Sequence, residues 1–305
     1  MTDAPPGSFA PPPELGPLEA LGEGDYCRAY LNPAGEVVLL ARTPEASRAV
    51  QAAAALLPGL APRLPLPVPR PRLLGRFGPE GLAAIAYPLV PGEPLEPERY
   101  AELPGEGRAA VAGQLGAFIA AVHATPEAEW RAGGVPECAY PFAAMEDGLR
   151  DGPPDEEFAA DLRLASRWLN AAELADLYAH QAAYLDGPPP GLVLTHNELS
   201  PAHLLFDPAA GRLTGIIDFN GLIATDPARD CLYADEAYGR DFTRAVLAAA
   251  REPEPEQLLA RLDFLHLWHT LVRFNWTATH DLPAAARHWR AVLRKQLEAR
   301  SGVLA

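Results

Sequence analysis

The most informative part of this chain is Val193-Leu-Thr-His-Asn-Glu-Leu-Ser-Pro-Ala-His-Leu-Leu-Phe206, in which polar side chains stand between two apolar, strand-like runs. A third apolar run, Gly215-Ile-Ile-Asp-Phe-Asn220, follows closely. Glu198 and His203 share one predicted loop, five positions apart, and Asp218 ends the next apolar run. This order along the chain predicts that the three side chains meet at one metal-binding site between neighbouring loops.

The composition indicates an ordinary globular protein that is long enough for more than one domain. The chain has 305 residues, 49% of them hydrophobic, which is enough for two domains with a crevice between them. Its formal net charge is −15 at pH 7, and its pI is near 4.9. Such a charge argues against nucleic acid and anionic membranes as partners. It leaves two explanations open, simple solubility or a cationic small-molecule ligand.

Cysteine use and the first residues of the chain favour a cytoplasmic location. Cys27, Cys138 and Cys231 are widely spaced and form no Cys-x-x-Cys pair, which fits a reducing compartment better than a disulfide framework or a structural zinc site. The segment from Met1 to Gly7 lacks the basic and apolar parts of a secretion leader. No uninterrupted apolar run reaches the roughly 18 residues of a membrane-spanning helix. We therefore expect a soluble, cytoplasmic protein.

Three parts are predicted along the chain: a loose, Pro-rich tail at 1–17, a small N-terminal domain at 18–90 and a larger domain at 91–305. The small domain should contain an antiparallel sheet, with a Gly-rich turn and strand at Leu21–Tyr30 and further strands at Glu36–Ala41, Arg72–Gly75 and Leu82–Val90. One helix should start at Pro44, with Thr43 as its N-cap, and end at Leu57.

The larger domain is predicted to be mainly helical. Apolar residues recur at helical spacing, and the expected helices are Gly107–His123, Glu156–Tyr184, Asp241–Ala250, Glu256–Thr279 and Pro283–Ala299. The polar loops at 193–220 lie between the second and third of these helices. The predicted fold class is therefore α+β, with a sheet followed by helices.

The loop His196-Asn-Glu-Leu-Ser-Pro-Ala-His203 resembles the catalytic loop of the aminoglycoside phosphotransferase family, His-Gly/Asn-Asp-Leu-x-x-x-Asn/His. The resemblance runs from about Leu21 to the C-terminal helices and is densest at 193–232. Asn197, His203 and the following Gly-Ile-Ile-Asp-Phe are most similar to the 2''-phosphotransferase branch. The resemblance implies a bilobal, protein-kinase-like fold. It also implies Mg²⁺-dependent transfer of the γ-phosphate of ATP or GTP to a hydroxyl of a small, aminoglycoside-like cationic molecule.

The resemblance also implies a role for each matching residue. Glu198 stands where a catalytic Asp would accept the acceptor's hydroxyl proton, and His203 and Asp218 stand at the two magnesium positions. The nucleotide would be bound by Gly22 and Gly24 in a phosphate-covering turn and by the hinge Tyr87-Pro-Leu-Val90, represented by Tyr87 and Leu89. His196 is interpreted as a structural histidine that bonds loop backbone.

Three residues are candidate substrate contacts. Asp235 and Glu236 follow the metal loop and can receive a cationic acceptor, and Trp268 matches an aromatic contact of the family. Each has an alternative: Trp268 lies on a Leu-rich helix and also fits a core position, and acidic residues are often a solvated face. The same two readings apply to a second acidic cluster at Asp151, Asp155, Glu156 and Glu157.

The chain departs from the family pattern at positions that matter for catalysis. Leu39 aligns with the Lys or Arg that holds the nucleotide phosphates, and Ala53 aligns with its Glu partner. Arg42 has the opposite strand parity from Leu39 and should point to the other face. Lys295 is the only lysine present, and Asn220 replaces the expected Gly, where Asn tolerates a left-handed backbone.

These departures keep a second hypothesis open, a catalytically impaired member that binds a nucleotide or small ligand as a binding module. A third hypothesis is a metal-dependent hydrolase built on His196, Glu198 and His203. No further His or Cys cluster in the sequence completes a zinc site, which disfavours it.

Overall fold

The computed structural model describes residues 11–138, 154–186 and 191–300. Within these ranges the chain is mixed α+β, as predicted, with an antiparallel sheet near the N-terminus and mostly helices after it. Most of the predicted tail at 1–17 lies outside the described residues. In its described part, Pro13–Leu15 forms one 3-10 turn, and Leu15 packs against the sheet.

Five antiparallel strands form the N-terminal sheet in the order β1-β2-β3-β5-β4. Their bounds are β1 (Glu19–Glu23), β2 (Cys27–Leu31), β3 (Glu36–Ala41), β4 (Arg72–Phe77) and β5 (Leu82–Pro88). In the central strand β3, Val37 and Leu39 are buried on one face of the sheet, and Val38 and Leu40 are buried on the other. Aliphatic side chains on both faces are what a central strand requires.

Strand β1 corrects the prediction of a Gly-rich turn that begins at Leu21. All residues of β1 are exposed. Because neither face of this edge strand is buried, its sequence shows no alternation of apolar and polar side chains. The turn is shorter than predicted and follows at Gly24, whose N–H donates to Cys27 O at 2.9 Å.

Helix α1 (Pro44–Leu60) packs against one face of the sheet and begins as predicted. Thr43 is the N-cap, and its Oγ1 accepts a hydrogen bond from Ala46 N at 3.1 Å. The helix runs three residues beyond the predicted end at Leu57 and includes Pro58. Burial of Leu60, which is 1% exposed, offsets the backbone hydrogen bond that proline cannot make.

The rest of the described chain consists mainly of helices with short strands between them. These elements are β6 (Glu93–Pro94), α2 (Pro97–Glu102), α3 (Gly105–His123), α4 (Glu127–Ala132), α5 (Pro154–Ala165), α6 (Ala171–Asp186), β7 (Val193–Thr195), β8 (Leu204–Asp207), β9 (Arg212–Ile216), β10 (Ile223–Thr225), α7 (Leu232–Tyr238), α8 (Arg240–Ala250), α9 (Pro255–Thr279) and α10 (Pro283–Arg300). Strands β6, β8 and β9 form one small sheet, and β7 pairs with β10.

The helix predicted over Glu156–Tyr184 is in fact two helices, α5 and α6, with a break at Asn170. Asn170 Oδ1 accepts hydrogen bonds from the N–H groups of Ala172 and Glu173, and Glu173 Oε2 accepts one from Asn170 N at 2.8 Å. This reciprocal capping box starts a new helix inside a continuous helical pattern.

One apolar core joins helix α1 to the helical part of the chain. Leu57 and Leu60 of α1 belong to the same buried cluster as Leu115 and Phe118 of α3. A second cluster surrounds α9 and includes Leu265 and Trp268 among its members. The strands and loops of the predicted site therefore rest on a packed base. None of the described helices combines the length and the apolar character needed to cross a membrane.

Candidate active site

The predicted site lies on two loops that are hydrogen-bonded to each other. Glu198 and His203 lie in the connection between β7 and β8, and Asp218 follows β9. The N–H of Ile217 donates to His203 O at 3.1 Å, and His196 Nε2 lies 3.0 Å from Ile217 O. Both contacts are made by the backbone of Ile217, so the two loops are held together next to Asp218.

The structure brings Glu198, His203 and Asp218 together. One ligand atom from each lies within 4.8 Å of those of the other two, and all three residues are partly buried. Two carboxylates and one imidazole at this separation can share a single divalent cation, and oxygen ligands suit Mg²⁺. The donor set therefore fits the metal that the sequence implies.

The hydrogen bonding of His203 strengthens this fit. Its Nδ1 lies 2.7 Å from Glu198 O, and because a carbonyl oxygen only accepts, Nδ1 carries a proton. The Nε2 atom then faces Asp218 Oδ2 at 3.4 Å. A lone pair and a carboxylate oxygen repel each other at this distance, so a proton or a metal ion between them is required for a favourable contact.

Asp218 is held by its own backbone conformation and by Asn220. Its φ of 65° lies in the left-handed region, which Asp tolerates better than most residues. The side-chain amide of Asn220 donates to Asp218 Oδ1 at 2.8 Å. The expectation of a left-handed Asn220 is therefore wrong, because Asp218 adopts that conformation and Asn220 orients it.

Glu198 occupies an environment that favours its neutral form. Burial raises the pKa of the Glu198 carboxyl, the nearby charge of Asp218 raises it further, and His203 and Arg229 partly offset them. The Glu198 carboxylate also contributes to the raised pKa of the Tyr26 hydroxyl, although burial is the main cause of that rise. The negative charge of Glu198 is therefore felt at Tyr26, in the turn between β1 and β2.

His196 is a structural residue, as predicted. It has no exposed surface, and burial lowers the pKa of its ring to about 4. The N–H of Glu198 donates to His196 Nδ1 at 3.3 Å, so the proton of the neutral ring sits on Nε2 and is donated to Ile217 O. The ring therefore ties the two loops together.

Asp230 holds the loop from behind, and it brings in a residue that the sequence reading missed. Its carboxylate accepts hydrogen bonds from the backbone N–H groups of His196, at 3.3 Å, and Asn197, at 2.8 Å. His123 Nε2 on α3 lies 2.9 Å from Asp230 Oδ2. His123 ends a helix predicted from its apolar stripe, but the pattern does not show which loop that helix end meets.

The predicted nucleotide contacts lie at two places in the N-terminal sheet, its edge strand β1 and the end of the inner strand β5. Gly22 lies in β1 and Gly24 in the turn after it, and a Cβ added at either would contact no atom closer than 3.9 Å. Tyr87 is buried in β5 on the face that carries Leu39. Leu89, just after β5, is 60% exposed, and its backbone N–H and C=O make no hydrogen bond within the described residues. A hinge that pairs with a purine edge requires such open backbone groups.

Leu39 and Ala53 lie where the missing ion pair was inferred. Both line one small cavity that Asp218 and Tyr87 also line, and its volume is about 10 Å³. Arg42 does not reach this cavity, because its guanidinium donates to Gly24 O at 2.6 Å and pairs with Glu23. The side of the crevice facing Asp218 is therefore apolar.

Asp235 is already paired inside the protein. Its Oδ2 accepts a hydrogen bond from Arg240 at 3.1 Å and lies 2.8 Å from His266 Nε2, and its Oδ1 forms an ion pair with Arg240 at 3.0 Å. Burial would raise the pKa of Asp235, but the hydrogen bond from His266 and the charge of Arg240 outweigh burial and lower it. An acid held in this way stays ionised, but the protein's own cationic groups already balance its charge. It therefore attracts a cationic ligand only weakly.

Glu236 is neutralised in the same manner. Its carboxylate lies 3.0 Å from His269 Nδ1 and 3.2 Å from Arg273. Burial alone would raise the pKa of Glu236, yet the partners hold it well below its usual range. The negative pair predicted to receive a cationic acceptor therefore has protein cations beside it.

Trp268 lies in the core and not in a crevice. It is 1% exposed, and its indole N–H donates to Asp161 Oδ2 at 3.0 Å. Trp268 therefore occupies a core position, which is the alternative to a substrate contact given above. In the second acidic cluster, Asp151 and the side chains of Asp155, Glu156 and Glu157 lie outside the described residues.

Comparison with known proteins identifies the fold. The sequence matches the model of a family described as the phosphotransferase enzyme family over residues 28–282. No curated protein matched the sequence significantly. A structure of APH(2")-IIia in complex with GDP and kanamycin is similar to this chain, with a TM-score of 0.78 and 21% identity over 94% of each chain.

Two further structures give the same result. A ternary complex of streptomycin, ATP and APH(2")-IIa has a TM-score of 0.66 and 16% identity, over 92% of this chain and 93% of that one. The macrolide 2'-phosphotransferase MphH from Brachybacterium faecium, an apoenzyme, has a TM-score of 0.62 and 23% identity over 91% of each chain. The expected bilobal, protein-kinase-like fold is thereby confirmed.

Proposed function

This chain belongs to the phosphotransferase enzyme family, and we propose that it transfers the γ-phosphate of ATP or GTP to a hydroxyl group of a small molecule. The observation that carries the proposal is the convergence of ligand atoms from Glu198, His203 and Asp218 within 4.8 Å of one another. Similar structures are complexes with GDP, with ADP and with ATP, which supports a purine nucleotide as the donor.

Asp218 and His203 would hold Mg²⁺ through Asp218 oxygens and His203 Nε2. The bound cation would neutralise charge on the nucleotide phosphates. The residues fit this role because the Nδ1 proton of His203 is fixed by Glu198 O and leaves Nε2 directed at Asp218. Asn220 fixes the orientation of the Asp218 carboxylate.

Glu198 would receive the proton of the acceptor hydroxyl. Burial raises the pKa of the Glu198 carboxyl, and the charge of Asp218 raises it further, toward that of a more effective base. Asp230, which His123 contacts, keeps the loop in place. It accepts hydrogen bonds from the N–H groups of His196 and Asn197, which lie within two residues of Glu198.

The acceptor is defined here by its hydroxyl group. Related structures contain kanamycin, streptomycin and gentamicin, and one relative is a macrolide phosphotransferase. The family resemblance implies a cationic, aminoglycoside-like acceptor, and its candidate contacts are Asp235 and Glu236. It would have to compete with Arg240 and Arg273 for them. Both acceptor classes therefore belong in the first assays. The wide spacing of Cys27, Cys138 and Cys231 in the sequence supports the proposal of a cytoplasmic protein.

One observation favours the alternative of a catalytically impaired binding module. The cavity between Leu39, Ala53 and Asp218 has a volume of only about 10 Å³, about the space of one water molecule. No cationic side chain lines this cavity, so the nucleotide phosphates would lack the usual partner from the sheet. A nucleotide bound without Mg²⁺ would be the signature of that function.

The test is a transfer assay with ATP and GTP, each with and without Mg²⁺, against aminoglycosides and macrolides. Phosphorylated acceptor is detected by mass spectrometry, and ADP or GDP release is measured in parallel. The proposal predicts Mg²⁺-dependent product that is lost in Glu198→Gln, while Glu45→Gln, an exposed carboxylate on α1, leaves it unchanged. Calorimetry on the same samples separates the alternatives, since metal-independent nucleotide binding without product supports the binding module.

A further inference from the structure

A second cavity lies at the far end of helix α9. Its volume is about 290 Å³, and its lining includes Trp168, Phe274, Leu282, Ala286, Arg287 and Arg290. These residues come from the start of α10, the end of α9 and the connection between α5 and α6. None of them belongs to the proposed site around Glu198.

The walls of this cavity are apolar and aromatic. Trp168 and Phe274 meet edge to face, with ring centroids 5.8 Å apart and planes at 82°. Leu282 is 41% exposed although it is a large aliphatic side chain. Aromatic and aliphatic surface of this kind is suited to a planar apolar group.

Two guanidinium groups lie on the rim, and neither has a full set of partners. The guanidinium of Arg287, within helix α10, makes no hydrogen bond or ion pair with any residue that the structure describes. Arg290 is 3.7 Å from Glu173 Oε2, beyond hydrogen-bonding distance, and its Nε is out of contact with solvent without an acceptor among the described residues. The Arg290 side chain as a whole is 35% exposed, so other parts of it stay open to solvent.

Glu173 forms an ion pair with Arg290 but no hydrogen bond, and its hydrogen bonds go to other partners. Its Oε1 accepts a hydrogen bond from Arg294 Nε, and its Oε2 accepts one from Asn170 N at 2.8 Å. Asp281 is the one acidic residue in the lining. The cavity therefore has two cationic side chains and one anionic one, in a chain whose net charge is −15.

We propose that this cavity is a second ligand site, for a small aromatic carboxylate. The ring would lie between Trp168 and Leu282, and the carboxylate would accept hydrogen bonds from Arg287 and Arg290, whose planar donor groups match a carboxylate in pairs. The volume is about twice that of a cavity that holds benzene. It therefore admits one ring system with a short acidic arm.

The test is calorimetric titration of the full-length protein with indole-3-acetate and, as a neutral control of the same shape, indole-3-acetamide. The site predicts saturable binding of the acid, at least about tenfold tighter than the amide. Arg287→Gln combined with Arg290→Gln should weaken acid binding at least tenfold. Arg167→Gln, which removes an arginine next to Trp168 that does not line the cavity, should leave it unchanged.

A blocking variant makes the test independent of charge. Ala286→Phe fills the cavity and keeps both arginines, so it should also abolish acid binding, while thermal melting confirms that each variant is folded. Equal binding of acid and amide, or unchanged binding in the blocking variant, would overturn the proposal. So would dimerisation that depends on Arg287 and Arg290, because it would assign this surface to a second copy of the chain. None of these measurements depends on the phosphate-transfer reaction.

Discussion

His203 Nε2 lies 3.4 Å from Asp218 Oδ2, with the Nδ1 proton of the same imidazole fixed by Glu198 O. The two residues come from different loops, and the backbone hydrogen bond between Ile217 and His203 sets their separation. This relationship makes the two predicted metal ligands interdependent, although they are fifteen positions apart in the chain.

Replacing His203 should test this relationship directly. His203→Asn keeps an oxygen ligand that suits Mg²⁺, so it should retain part of the transfer activity, whereas His203→Ala should raise the Mg²⁺ concentration needed for half-maximal activity by at least about tenfold. Asp218→Ala should abolish activity. The measurement is a Mg²⁺ titration of the initial rate. Identical titrations for His203→Ala and the parent chain would show that the imidazole binds no metal.

Leu39 and Ala53 stand at the positions where the family has an ion pair, and they lead to a second prediction. Leu39→Lys or Ala53→Glu alone should destabilise the protein by about 3 kcal/mol, because each buries an unpaired charge. The double variant should recover much of this loss and bind nucleotide at least about tenfold tighter. Urea unfolding and calorimetry provide both readouts. Leu40→Lys with Ala53→Glu is the matched control, since Leu40 lies on the other face of the sheet, and it should show no recovery.

Buried His269 should make stability fall on acidification. Burial lowers the pKa of His269 to about 4, below the unfolded value of about 6.5. The unfolded state therefore takes up the proton first, and stability is lost as pH falls between those two values. From pH 7.5 to 5 this one residue should account for about 2 kcal/mol.

The measurement is urea unfolding of the parent and His269→Gln at pH 7.5, 6 and 5. His266 acts in the opposite direction. Burial disfavours its charged ring, but hydrogen bonds to Asp235 and Glu236 outweigh burial and raise its pKa. The difference between the two proteins isolates His269, and it should shrink as the pH falls. A difference that does not change with pH would contradict the assignment.

The pairing of Asp235 with Arg240 can be separated from a role in acceptor binding. Asp235→Asn and Arg240→Gln should each reduce stability, and the double variant should lose less than the sum of the two, by about 1 kcal/mol or more. If Asp235 mainly balances internal charge, KM for an aminoglycoside should change little. A large rise in KM with additive stability losses would instead assign Asp235 to the acceptor.

Local sequence rules predicted much of the fold. Strand β3, the Thr43 cap and helices α3, α8, α9 and α10 lie within about two residues of their expected bounds, because apolar periodicity and capping residues act over short distances. The helix break at Asn170 was missed, although the capping box that causes it is also local. The exposed edge strand β1 carries no apolar pattern.

The grouping of Glu198, His203 and Asp218 was predictable from order and spacing, and their roles stay predictions. Contacts between distant parts of the chain were not predictable. His123 meets Asp230 across 107 positions, and only tertiary packing decides which helix end faces the loop. The pairing of Glu236 with His269 depends in the same way on how α7 meets α9.

The central claim is that His203 and Asp218 hold a divalent cation on the phosphates of a purine nucleotide, next to Glu198 as the proposed proton acceptor. The most direct measurement is anomalous diffraction from crystals grown with Mn²⁺ and a non-hydrolysable ATP or GTP analogue. The claim predicts a manganese peak bound by an Asp218 oxygen and His203 Nε2, next to the terminal phosphates. A well-ordered nucleotide with no manganese peak at these residues would contradict it.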